Sequence, residues 1–239
     1  ILRKESIMIK LRPSASRGFA DHGWLVARHS FSFADYFDPA EKGWGVLRVI
    51  NEDSVAPGRG FGKHGHSDME IVTYVISGVL EHRDSLGNGE LIRPGEVQRM
   101  SAGSGIRHSE FNPSQSETTH LLQIWIEPRE LGIAPGYEQQ PLAPARNAWR
   151  LIASPDAAEG STLIHQDARI YATQLDPGAD LDYLLDPVRL AYVHLVHGRL
   201  TLNGVEMSSG DGAKIAAESS LHFIAAEDSE VLLFDLPGR

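Results

Sequence analysis

At 239 residues, 41% of them hydrophobic, the chain is long enough for two modest domains, each with its own core. Its net charge of −10 argues against direct contact with nucleic-acid backbones or anionic lipid. Cysteine is absent, which excludes disulfides, thiolate ligands, iron–sulfur clusters and a cysteine nucleophile, so any metal must be held by nitrogen and oxygen. No apolar stretch approaches the roughly 18 residues of a membrane-spanning helix, and no secretory pattern opens the chain. The expectation is a cytoplasmic, monomeric protein.

In chain order, the first methionine is Met8, so residues 1–7 read as an added extension without function. Short alternating or apolar runs then recur at residues 29–33, 44–50, 69–76, 79–82, 121–126, 190–196, 200–202 and 230–236, and each predicts a strand. Glycine-rich punctuation at 86–89, 93–96 and Asn203-Gly204 predicts sharp reversals between them. Helix is scarce, limited to short turns near 128–131 and after Ser154. The fold class is therefore all-β. Between residues 127 and 144 the prolines Pro128, Pro135, Pro141 and Pro144 loosen the pattern and suggest a linker. On either side lies a faint repeat in which residues 74–80 and 94–96 correspond to 193–200 and 209–211.

Chemistry concentrates in two short segments. His64 and His66 are two apart on a predicted strand and so project to one face, where they can converge on an ion. His108 and Glu110 repeat the spacing about forty residues later. Strands facing each other across a barrel would bring three imidazoles and one carboxylate together. With Gly78 aligned on Gly198, Leu184 and Asp186 fall opposite His64 and His66, so the second half lacks a counterpart site. The remaining histidines, His22, His29, His82, His120, His165, His194, His197 and His222, read as packing or surface residues.

Glycine at 58, the HxH pair at 64–66, Glu70, and His108 followed by Asn112 resemble the two-part signature of cupins. The strings FSFADYFDP (31–39), LRVINED (47–53), HGHSDMEIVTYVISG (64–78), MSAGSGIRHSEFN (100–112) and LLQIWIEP (121–128) are more closely similar to the pirin family, especially its bacterial members with quercetinase activity. HQDARIY (165–171) and VLLFDLP (231–237) extend the resemblance nearly to the end of the chain. It implies a bicupin of two antiparallel β-barrels: a metal-binding N-terminal domain at 8–135, a linker at 136–149, and a degenerate C-terminal cupin without metal at 150–239.

The resemblance also implies that His64, His66, His108 and Glu110 are the metal ligands, with Glu70, a ligand in many other cupins, not among them. Imidazole and carboxylate suit iron, nickel, manganese, cobalt, copper or zinc, and the family points to iron(II). Glu110 would serve as general base as well as ligand, in a dioxygenase that cleaves the heterocyclic ring of a flavonol such as quercetin with dioxygen and releases carbon monoxide. Phe31, Phe33, Met69, Ile106 and Phe111 are candidate pocket residues, and Asp68, Glu70, Ser109 and Asn112 candidate supports for the ligands. The alternative is an iron-dependent redox-sensing regulator that captures protein partners without turnover. A binding module that leaves its ligand unchanged is a third possibility.

Overall fold

Alternation of apolar and polar residues becomes strand along almost the whole computed structural model, which describes residues 8–238. The expected extension at 1–7 lies outside the described residues. The strands are β1 (Met8–Arg12), β2 (Gly18–Asp21), β3 (Leu25–His29), β4 (Leu47–Val55), β5 (Gly60–His66), β6 (Glu70–Ser77), β7 (Leu80–Asp84) and β8 (Gly89–Ile92). There follow β9 (Glu96–Ser101), β10 (Ile106–Phe111), β11 (Thr119–Ile126), β12 (Gly136–Pro141), β13 (Ala145–Arg146), β14 (Arg150–Ser154), β15 (Thr162–Leu163) and β16 (Arg169–Leu175). The last are β17 (Asp180–Leu184), β18 (Leu190–His197), β19 (Arg199–Leu202), β20 (Val205–Ser208), β21 (Gly212–Ala216), β22 (Ser220–Ala225) and β23 (Ser229–Leu236). Helix among the described residues is confined to two 3-10 turns, Ser14–Ser16 and Ala158–Gly160. The second matches the turn expected after Ser154; residues 128–131 form none.

Two compact units result, one built from Gly18–Ala143 with Ala153–Gln166, the other from the described parts of 1–17, 144–152 and 167–239. The first unit stacks a sheet of order β12-β9-β6-β11-β4-β3-β2 on a smaller one of order β5-β10-β7-β8. Their inner faces meet in a core where Leu80 and Ile92 of the small sheet pack with Leu25, Val55, Val75 and Leu121 of the large one. The second unit has a small sheet of order β17-β22-β19-β20, which repeats the first topology strand for strand. In each unit the sheets form a cupin jelly roll of two layers rather than one continuously bonded barrel. Asn203 and Gly204 both adopt positive φ, 46° and 81°, as the two-residue turn between β19 and β20 requires.

The units do not divide where the sequence suggested. Strand β1 belongs to the second unit, paired with β21 from Met8↔Ala216 to Arg12↔Gly212. The expected linker at 136–149 carries β12, which pairs with β9 from Gly136↔Ser101 to Pro141↔Glu96. Its prolines are compatible with a strand because β12 lies at the sheet edge and Pro141 at its end, where a missing N–H breaks no ladder. Residues 153–166 return to the first unit, where the Leu163 amide donates to Glu138 and the His165 amide to Glu70.

Between His108 and Glu110 the register of β10 against β5 slips: His108 faces His64, but Glu110 faces Phe61, leaving one extra residue on β5. Close approach at this bulge depends on Gly60. A Cβ there would lie 2.1 Å from the Glu110 carbonyl oxygen and 2.6 Å from Phe111 Cα, both backbone atoms that cannot swing aside. Gly60→Ala should therefore cost about 1–3 kcal/mol, seen as a melting temperature lower by roughly 2–4 °C per kcal/mol. Gly89→Ala, with no atom within 4 Å of the added carbon, should leave the melting temperature unchanged.

Candidate metal centre

His64 and His66 lie on β5, and His108 and Glu110 on the adjacent β10. They converge between neighbouring strands of one sheet, not across a barrel as the sequence suggested, because His64 and His108 are direct cross-strand partners. His108 Nε2 lies 3.0 Å from both His64 Nε2 and His66 Nε2. His64 Nδ1 sits 2.8 Å from the Gly62 carbonyl, so that nitrogen carries the proton and Nε2 keeps its lone pair toward the cluster. At most some of these contacts can be satisfied by a shared ring proton; three lone pairs directed at one point suit a cation.

Electrostatics prepare the same outcome. Burial, reinforced by His64, lowers the pKa of His66 to about 4. His108, only 2% exposed, falls to about 3 through burial and then the neighbouring His64, His66 and His82. Both rings are thus neutral at pH 7 and need shed no proton to ligate a metal. Glu110 behaves oppositely: burial raises it to about 7, despite hydrogen bonds that favour the carboxylate. Gln123 Nε2, from β11 on the opposing sheet, donates to both its oxygens at 2.9 and 2.8 Å.

The four expected residues fall into two overlapping groups. Ligand atoms of His64, His66 and His108 lie within 4.8 Å of one another, and so do those of His82, His108 and Glu110. His82, on β7 directly opposite Glu110, was read from sequence as a packing residue. Its Nδ1 faces His108 Nδ1 at 3.5 Å, and its Nε2 lies 3.0 Å from Asp84 Oδ2. With His108 Nε2 turned to the cluster, His108 Nδ1–H donates to His82, which in turn donates from Nε2 to Asp84. Asp84 is anchored by the Leu86 amide at 2.8 Å and by the Asn88 side chain at 2.8 Å. Burial opposes its charge, but the bonds from Asn88, His82 and Leu86 prevail and hold it below the usual carboxylate range. Tyr137 stacks on His82 with ring centroids 4.8 Å apart.

The candidate supports serve elsewhere. Glu70 is fully buried and bound by Ser101 Oγ at 2.9 Å and by His165, which keeps it out of the cluster. Asp68 accepts from the Gly132 amide, and Asn112 ties Val55 and Glu117 carbonyls together. A cavity of about 860 Å³ opens on the histidines and Glu110, lined also by Trp24, Phe33, Phe61, Ile71 and Trp125. Of the expected pocket residues, Phe33 takes part, edge-on to Trp125 at 5.4 Å. Met69 and Ile106 do not line the cavity but pack in one cluster with Met100, Ile71 and Trp125, Phe31 is core, and Phe111 is exposed. Gln123, Asn51 and Asp53, which the sequence reading missed, bring polar groups to the cavity.

Loss of a converging imidazole should abolish divalent-metal occupancy, measured by elemental analysis after purification without chelators, in His64→Ala and His108→Ala. His82→Ala should retain the site but weaken affinity about 10–100-fold in a competition titration, as expected for a residue that orients a ligand.

Comparison with known proteins identifies the family. Residues 10–126 match the family model described as Pirin, and residues 151–236 the one described as Quercetinase C-terminal cupin domain. The chain is 50% identical to a quercetin 2,3-dioxygenase of Escherichia coli K12 over 96% of its own length and 99% of that protein. It is 44% identical to a pirin-like protein of Caulobacter vibrioides, covering 95% of this chain and 99% of the relative. The crystal structure of the bacterial pirin YhhW from Escherichia coli in complex with nickel(II) superposes with a TM-score of 0.94 at 49% identity, covering 97% of this chain and 100% of that one. Sequence, fold and coverage together place the chain in the pirin family.

Proposed function

We propose that this protein is a metal-dependent quercetin 2,3-dioxygenase, with His64, His66, His108 and Glu110 holding one divalent ion. The observation that carries the reading is the convergence of three Nε2 atoms beside a buried, near-neutral carboxylate at the wall of an aromatic cavity. The name of the Escherichia coli relative supports the activity, and its nickel complex supports a divalent metal. Iron(II) is the proposed resident ion on the pirin resemblance alone, because imidazole and carboxylate ligands without thiolate also accommodate nickel, manganese, cobalt, copper or zinc.

When bound, the metal, held by His64, His66, His108 and Glu110, would supply a Lewis-acidic, redox-capable centre at the cavity wall. Everything else falls to side chains. Glu110 removes the 3-hydroxyl proton onto a carboxylate oxygen, a transfer suited to a base poised near neutrality. Gln123 keeps that carboxylate in one orientation, while Asp84 and His82 fix the tautomer of His108. Phe33, Phe61, Trp24 and Trp125 offer flat apolar walls to the flavonol rings and displace water from the reacting end. In the overall conversion, both atoms of dioxygen enter the products, the heterocycle opens to a phenolic ester, and one ring carbon leaves as carbon monoxide.

Metal-loaded protein should consume oxygen with quercetin and release carbon monoxide. Glu110→Gln, assayed at confirmed metal content, should lower kcat/KM by about 10²–10⁴-fold. In the wild type kcat/KM should rise with pH as Glu110 ionises, with its midpoint below 7 because a nearby cation favours the carboxylate; this limb should be missing in Glu110→Gln. Metal-loaded protein that leaves quercetin and oxygen unconsumed would overturn the assignment.

A further inference from the structure

Beside Gln123, the inner face of the large sheet carries further polar groups that the chemistry above does not use. His29, Asn51 and Gln123 stand in cross-strand register, Asn51 opposite both His29 and Gln123. His29 Nδ1 and Asn51 Oδ1 are 2.8 Å apart, so those two groups engage each other. Asp53 comes two residues after Asn51 on the same face of β4, flanked in register by the apolar Ala27 and Leu121. It is 4% exposed and lines the cavity, and its Oδ1 has no hydrogen-bond partner among the described residues. A buried carboxyl in an apolar wall, open to a cavity and with one oxygen left without a donor, has the properties of a group completed by a ligand.

We propose that Asp53 is a specificity-determining residue that accepts a hydrogen bond from a ring hydroxyl of the bound flavonol, away from the hydroxyl engaged at the metal end. Asp53 is the diagonal neighbour of Gln123, the residue that holds Glu110, and such neighbours are about 7–8 Å apart. A rigid polycyclic substrate can therefore meet Glu110 with one oxygen and Asp53 with another while its rings lie between the aromatic walls. Burial, then Glu110 and Glu52, raise the pKa of Asp53 to about 7, which fits a carboxyl lacking cationic support. The ligand class is a flavonol bearing phenolic hydroxyls on its outer rings. A flavone skeleton without them would leave Asp53 unpaired.

This inference rests on the quercetinase reading and sharpens its substrate class. The test measures anaerobic binding to metal-loaded protein by quenching of tryptophan fluorescence, comparing quercetin with 3-hydroxyflavone. The latter keeps the 3-hydroxy-4-keto end but lacks every outer hydroxyl. Wild type should bind quercetin about tenfold or more tightly, as expected for one hydrogen bond to a charged or strongly polar partner. Asp53→Ala should bring the two ligands to within about twofold by weakening quercetin alone. The isosteric Asp53→Asn, which replaces one acceptor oxygen by a donor, should reduce the preference and serves as the readout if the alanine variant does not fold.

Equal weakening of both ligands in the variants would make Asp53 structural and overturn the proposal. An undiminished preference for quercetin would do the same. Wild-type protein that binds both ligands without preference would remove this inference while leaving the quercetinase reading intact; binding of neither would remove both.

Discussion

The in-register pairing of β5 with β10 is the constraint on which the rest of the site depends. Opposed residues on one face of an antiparallel pair sit about 4.5–5.5 Å apart, close enough for imidazoles on neighbouring strands to touch tip to tip. His64 and His108 occupy such a position, and His66 reaches the same point from two residues along. A one-residue slip of β10 would turn His108 and Glu110 to the opposite face from His64 and His66. The bulge confines such a slip to the stretch between His108 and Glu110, and the Glu110 carboxylate meets Gln123 of the facing sheet.

Around that pairing the protein keeps charge scarce. His66 and His108 are neutral, Glu110 is held near its ionisation midpoint by burial, and Asp84 carries its charge on the far side of His82 under several donors. A divalent ion entering such surroundings becomes the dominant local charge and draws the carboxylates toward ionisation. The second unit shows the contrast. It repeats the strand order, yet Asp182 and His222 stand opposite each other there as a partly exposed pair, and Leu184 points to solvent.

Much of this was legible from residues alone. The ligand candidates announced themselves because two residues apart on a strand means one face, a property needing no partner strand. The expectation that the second half lacks a counterpart site came from Leu184 and Asp186 in the repeat. What escaped depends on register between strands, which local pattern does not fix. His82 and Asp84 form another two-apart pair, and only the pairing of β7 with β10 brings them to His108. Gln123, Asn51 and Asp53 did leave a trace: each alternates in phase with buried apolar residues, Val49 and Val55 on β4 and Leu121 on β11. The prolines near residue 140 misled because they break ladders in the middle of a sheet but not at its edge, where β12 lies. An acceptor buried without a partner costs about 1–3 kcal/mol, and that cost is what makes Asp53 stand out once the fold is known.

The place of β1 bears on how the chain comes to be folded in time. Met8 pairs with Ala216, and Arg12 with Gly212, so one of the earliest described segments to leave the ribosome must wait for one of the latest. During that interval its backbone groups have no sheet to join, while the site-bearing strands from β2 to β12 already have one another. Closure over so long a stretch is intrinsically slow, so the edge pairing of β1 with β21 depends on a contact of the longest sequence separation in its sheet.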